Sequence, residues 1–385
     1  MSAPSYTELS ALNSRQIARS LLDGKDLTDA SFYPEHFDWY WQAAYGLSTA
    51  FSPSEGENRL FTRAPLDCFD PSSAPIPPEA IFNIASISKP ITAATILRMI
   101  EDKRYSAYFP AALETKLSHF YEMLESRYPE SSYVRTRLRG ENPEISLKDL
   151  ILHASGIGDF DIAKYGQSFR FETPENLAKP GDGKHLEPER RDGKYGEYKY
   201  SDIGYELLGM VISAIATDLA RKTSSGDVVT CGAVMRDLVV DRLELEHTFT
   251  PDEMGFDADG RVAVVGRPEQ IIARGYDCQY TGNNLIESKV FRRCISASAL
   301  YSNPSDICTF AKRTFSGKTY AEGGLFDRPE TIEMQNKFTV VCSYEDVRDE
   351  SREVVGRRPK VTPGLGNDKY TPITLKQPQL DSSKS

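Results

Sequence analysis

Apolar positions recur at helical spacing through Ile91, Ala94, Ile96, Leu97 and Ile100, which predicts a long amphipathic helix opening near Ser86. Pro90 falls in its first turn, where a missing N–H costs nothing. IGYELLGMVISAIATDLA, following Tyr200-Ser201-Asp202, is apolar almost throughout and predicts a second, strongly buried helix. SLKDLILHASGIGDF (146–160) reads as a helix broken at Ser155-Gly156, and SALYSNPSDICTFAKRTF (298–315) as a turn and a helix capped near Ser305. Residues 8–23 carry a loose helical period. The aromatic and β-branched runs within 39–63 predict two strands around a Ser/Gly/Glu turn. Residues 64–78 read as a loop, 105–145 as helical in parts, 179–199 as a charged, glycine-rich mobile surface loop, and 262–300 as mixed short segments. From 343 to 385 the chain is polar and proline-bearing, and is expected to be poorly ordered.

The chain has 385 residues, 39% hydrophobic and 26% charged, enough for a sizeable core. A net charge of −10, with no basic stripe, argues against nucleic acid or an anionic membrane as partner. No apolar run is expected to cross a bilayer, and the N-terminus shows no charged region followed by an apolar one. Six scattered cysteines form no C-x-x-C pair, so no metal site and no disulfide framework is expected. A cytosolic location and the absence of any cofactor are the resulting expectations. Oligomeric state is left open.

Chemistry enters at Ser86-Ile87-Ser88-Lys89. A serine hydroxyl becomes nucleophilic once a base takes its proton, and a desolvated lysine amine one turn away can do so. The i,i+3 relation puts both side chains on one face at a helix start, where backbone N–H groups favour a developing oxyanion. By itself the pair is weak, since chance supplies it about once or twice in a chain of this length. A surface Ser–Lys pair is the competing reading. Tyr200, ahead of the second apolar helix, adds a phenol that can relay protons beside a lysine. Alone among 20 tyrosines, it would read as a buried aromatic closing a loop.

FNIASISKPITA, LKDLILHASGI, YKYSDIGYELLGMVI and ALYSNPSDI occur in this order and together resemble the serine β-lactamase-like family, which includes class C β-lactamases, DD-peptidases, esterases and fungal transesterases. The resemblance covers about residues 80–312. It implies an α+β fold of β-lactamase/transpeptidase type, an antiparallel sheet flanked by helices with an inserted helical subdomain. On that basis residues 1–342 form one domain, with the subdomain at roughly 105–200. Carried over, Ser86 is the acylated nucleophile, Lys89 its base partner and Tyr200 the tyrosine of the second motif. His153 matches a histidine that is structural in the family, and a Ser-His-Asp triad is not expected.

Two positions depart from the family pattern. The second motif has Asp202 where the family has asparagine, and a carboxylate near Lys89 favours the ammonium over the neutral base. Asp202 is therefore assigned to the substrate or proton network. The third motif, a [KH]-[TSA]-G triplet on a strand that supplies an oxyanion donor, is not found; Lys318-Thr319 lies too early and lacks the glycine. The closing strands and C-terminal helix of the fold are not recognisable, although Gly364-Leu365-Gly366 resembles a segment that precedes the triplet. Loss of one oxyanion donor costs about 100- to 1,000-fold in rate.

The resemblance implies an acyl-serine esterase, hydrolase or acyltransferase (transesterase) acting on a small-molecule ester or thioester, with secondary-metabolite biosynthesis as the setting by analogy. The competing class is a degenerate, non-catalytic binding protein of the same fold, which Asp202 and the missing triplet favour.

Overall fold

The computed structural model describes residues 77–158 and 195–336, short internal stretches apart, together with the backbone of paired strands at 49–51, 59–61, 339–348 and 354–363. Strands β1 (Thr49–Phe51) and β2 (Arg59–Phe61) pair antiparallel where two strands were predicted. The expected helix at 8–23 and most of the 64–78 and 179–199 loops lie outside the described residues.

β3 (Phe82–Asn83) leads through a tight 3-10 turn, Ala85–Ile87, into helix α1 (Ser88–Glu101). The predicted opening at Ser86 is thus the 3-10 turn, and Pro90 sits in the first α-helical turn. Short turns and α2 (Tyr121–Arg127) follow.

Helix α3 (Leu147–Ile151) begins at a reciprocal cap: Ser146 Oγ accepts from the Asp149 N–H, and Asp149 Oδ2 accepts from the Ser146 N–H. It ends earlier than the predicted stop at Ser155-Gly156. The Ala154 N–H reaches the Asp149 carbonyl at 2.7 Å and the His153 N–H that of Leu150 at 3.2 Å, which closes the helix with His153 in the left-handed region at φ 55°. Glycine usually takes this position, and a histidine there costs about 1–2 kcal/mol. The strain falls beside the candidate site.

Helix α4 (Asp202–Thr223) has every residue from Ile203 to Thr217 buried, as a helix apolar on all sides must be. Contrary to expectation, it is long and apolar enough to cross a membrane. However, 83% of its most apolar window is buried inside the protein, which makes it the central core helix. α5 (Cys231–Met235), capped by Thr230, runs on through a π-helical turn, Arg236–Val240.

Two short antiparallel hairpins follow, β4 (Met254–Phe256) with β5 (Val262–Val264) and β6 (Tyr276–Cys278) with β7 (Leu285–Glu287). Then come the single helical turn α6 (Ile295–Ser298) and β8 (Tyr301–Ser302). Helix α7 (Pro304–Thr314) is capped by Asn303 rather than Ser305, with Pro304 pre-set at its first position. The β1–β2 pair lies alongside α7. After α8 (Pro329–Asn336), β9 (Thr339–Arg348) and β10 (Val354–Pro363) form a long antiparallel hairpin that runs into the segment expected to be poorly ordered from 343 on. Its valines and threonines, spaced by polar residues, suit a pleated ribbon and were outweighed in the sequence by overall polarity.

Asn83 and Phe249 flank Tyr301 on opposite sides, joining three chain segments into one antiparallel patch. That patch covers a small core of Ile81, Phe249, Met254, Val264 and Tyr301. The larger core unites α1, α2, α3, α4 and α5. At ~1.5–3 kcal/mol per buried aliphatic side chain, the faces of α1 and α4 are the main stabilising surface.

Candidate active site

The strand pairing decides where α1 starts. Ile84 N–H bonds to the Leu300 carbonyl at 3.0 Å, and Leu300 N–H to Ser88 Oγ at 3.1 Å, so the turn carrying Ser86 is stitched to the segment 295–302. Within the turn, Ala85 takes a left-handed φ of 44°, and its N–H is held by Asn83 Oδ1 at 3.0 Å.

Lys89 points from the first turn of α1 into the core and is fully buried. Its Nζ contacts three acceptors: Ser86 Oγ at 3.1 Å, the Ala297 carbonyl at 3.0 Å and Asp202 Oδ1 at 2.6 Å. The first two are hydrogen bonds that the ammonium donates, and the third is an ion pair. Its charge also lies 4.7 Å from the Tyr200 ring centre. Burial pulls the Lys89 pKa down, but the Asp202 carboxylate, with Tyr200 and the hydrogen bonds of both, more than offsets this and holds it above the ordinary 10.5.

Tyr200 Oη lies 2.7 Å from Ser86 Oγ. Burial, with Asp202 next, raises its pKa, and Lys89 and Ser86 counter only in part, so the phenol is neutral at pH 7. His153 braces the tyrosine from behind. Its ring lies 4.6 Å from that of Tyr200, tilted by 30°, its Nδ1 accepts from the Ser201 N–H at 3.1 Å, and its carbonyl accepts from the Lys199 N–H at 2.7 Å. A histidine whose Nδ1 accepts there carries its proton on Nε2. The left-handed backbone at His153 thus places its ring against that of Tyr200.

Ser86, Lys89, Tyr200 and Asp202, spread over 117 positions of sequence, therefore meet in one contact network. A family model described as Beta-lactamase matches residues 69–352. The chain belongs to the beta-lactamase family.

Members of the family are serine acyl-enzyme hydrolases acting on small acyl substrates. The chain is also similar to solved structures, of which the first supports the fold. The D-amino acid amidase from Ochrobactrum anthropi SV3, complexed with L-phenylalanine, is 18% identical, covers 78% of this chain and 72% of its own, and has a TM-score of 0.51. EstCE1, described as a hydrolase with promiscuous acyltransferase activity, is 16% identical over 86% of this chain and 77% of its own, with a TM-score of 0.47. A D-stereospecific amidohydrolase from Streptomyces sp. is 16% identical over 77% and 72%, also at 0.47. No curated protein sequence matches the chain significantly.

Asp202, where this chain departs from the family pattern, is in direct contact with the lysine rather than turned away from it. Lys318-Thr319 does not serve as the third motif. Thr319 caps a 3-10 turn with Glu322, and its carbonyl accepts from the Gly324 N–H. Gly364-Leu365-Gly366 lies outside the described residues.

Two residues that touch this network went unnoticed in the sequence. One is Ala297, which acts through its backbone and leaves no sequence signal. The other is Glu206, a lone acid inside fifteen consecutive buried residues of α4, four positions beyond Asp202. A charge in so apolar a run was the available clue. Among the described residues there is no group of histidine, cysteine and acidic side chains able to hold a metal ion.

Proposed function

We propose that this protein is an acyl-serine enzyme, an esterase or acyltransferase on a small-molecule ester, with Ser86 as nucleophile. The observation that carries the reading is the placement of Ser86 Oγ within hydrogen-bond reach of both Tyr200 Oη and Lys89 Nζ. A nucleophile contacting two proton-transfer groups, themselves in mutual contact, is the geometry that covalent catalysis requires.

The resting site holds an ammonium and a phenol, so reaction begins from a state with one proton fewer. That state is shared between a Tyr200 phenolate beside Lys89 ammonium and a neutral lysine beside the phenol. Ser86 Oγ attacks the ester carbonyl while its proton passes to this pair. The tetrahedral intermediate collapses, the pair returns the proton to the departing alkoxide, and the acyl group remains on Ser86. Water or an acceptor alcohol then attacks the acyl-enzyme by the reverse proton route. The Ala85, Ile87 and Ser88 N–H groups of this turn are bonded to Asn83 Oδ1 and to carbonyls of the turn itself, so in this mechanism the oxyanion contact falls to the Ser86 N–H.

The amide chemistry named for the Ochrobactrum enzyme makes amino-acid amides a second acyl-donor class worth assaying. Secondary metabolism and a cytosolic setting belong to the same proposal.

A non-catalytic binding role is the second reading, favoured by the Asp202 contact that keeps Lys89 protonated. Labelling with a fluorophosphonate probe, read by intact mass, separates the two. Adduct on the native chain and none on Ser86→Ala supports the enzyme; no adduct on folded native protein across pH 6–10 overturns it.

A further inference from the structure

We propose that Glu206 is a positioning residue of this centre, a buried carboxylic acid that seats Ala297 against Lys89 and keeps a second negative charge away from the lysine. The proposal deepens the acyl-serine reading and rests on it for its kinetic consequence.

Asp202 and Glu206 stand one turn apart on α4, so both project from one face of the helix. Asp202 contacts Lys89 directly. Glu206 reaches it through one residue: Glu206 Oε1 accepts from the Ala297 N–H at 3.0 Å and from Ser296 Oγ at 3.1 Å, while the Ala297 carbonyl accepts from Lys89 Nζ at 3.0 Å. The segment 295–298 is further tied to α1, where Thr92 Oγ1 donates to the Ser296 carbonyl at 2.6 Å. Gly209 leaves room for this approach, since a Cβ there would stand 2.6 Å from Ser296 Cβ. Glu206 is 1% exposed, and its Oε2 meets no hydrogen-bond partner among the described residues. An ionised carboxylate with one naked oxygen in such a place is strongly disfavoured, whereas the neutral acid is tolerated.

The titratable groups facing Glu206 are Asp202 on its own helix, Lys89 from α1 and the Cys231 thiol from α5, while α6 contributes none. Burial keeps the thiol protonated. The trio Lys89, Asp202 and Glu206 is therefore neutral when Glu206 carries its proton and negative when it does not. Burial, eased by the Ala297 and Ser296 hydrogen bonds, pushes the Glu206 pKa up to about 8. Above that pH the extra negative charge holds the Lys89 proton more tightly and delays formation of the reactive state.

Two measurements test this. Difference infrared spectroscopy across pH 5–10 on Ser86→Ala protein, which needs no turnover, should show a protonated-carboxyl band lost near pH 8 and missing in Ser86→Ala/Glu206→Gln. Fluorophosphonate labelling rates should give a Glu206→Gln to native ratio that climbs several-fold through the same pH range. Glu206→Ala, which loses the clamp, should label more slowly than Glu206→Gln at every pH. A missing carboxyl band, or a pH-independent ratio with Ala and Gln equivalent, overturns the proposal. If the native chain does not label while the band titrates, the acyl-serine reading fails and the protonated state of Glu206 stands.

Discussion

Replacing Asp202 by asparagine removes a negative charge 2.6 Å from Lys89 Nζ while keeping a side chain of the same shape and an oxygen that can accept the hydrogen bond. Lys89 is fully buried and Asp202 is 29% exposed, so the pair is screened on one side only. Unit charges about 4 Å apart interact by ~4 kcal/mol at an effective dielectric of about 20. Solvent at Asp202 and the retained hydrogen bond reduce what the substitution releases. A contacting opposite charge typically favours the ionised partner by about 10- to 1,000-fold, and the lower half of that range fits this exposure. At neutral pH the fraction of Lys89 present as free amine should rise by that factor. If loss of this proton limits acylation, the rate of fluorophosphonate labelling rises with it, roughly 10- to 100-fold. The rate of native protein should increase steadily with pH, because Lys89 and Tyr200 both hold protons tightly. The variant's rise should begin at lower pH. Rates measured by quenched labelling and intact mass from pH 6 to 10 give both curves. A variant that labels more slowly at every pH would refute the reasoning and make Asp202 the final proton acceptor through Lys89.

Tyr200→Phe keeps the ring packed on His153 but removes the oxygen beside Ser86, so labelling should fall about 100-fold or more with the melting temperature nearly unchanged. Gly209→Ala sets two effects against each other. Alanine favours a helix interior by ~1 kcal/mol, but overpacking Ser296 costs about 1–3 kcal/mol, so thermal unfolding should show a net loss, with slower labelling as Ala297 shifts from Lys89. Glu206 also makes stability depend on pH. Its pKa is about 8 folded against 4.5 for an unperturbed glutamate, so its contribution is complete below about pH 4.5 and is lost as pH rises to about 8. Denaturant titrations should show native protein losing stability relative to Glu206→Gln across that window, with a ceiling of roughly 5 kcal/mol. Parallel curves would refute it.

The amino-acid sequence by itself determined the local elements and singled out the candidate site residues. The spacing of Ile91 to Ile100 marked α1, the unbroken apolar run after Asp202 marked α4, and Ser86, Lys89 and Tyr200 stood out by chemistry and order. Periodicity and side-chain chemistry are local properties, so a linear reading reaches them. It misjudged the end of α3, where a histidine in the left-handed region replaced the glycine that usually marks such a stop, and the hairpin beyond 338, where polarity hid alternation. Only the tertiary structure decided the electrostatics of the site. That Asp202 faces Lys89 depends on how α4 crosses α1, and that Ala297 caps the lysine depends on strand pairing between 82–84 and 300–302. A backbone carbonyl carries no sequence signature, and the protonation of Glu206 follows from burial between three helices. On the proposed mechanism, these contacts set when Ser86 loses its proton.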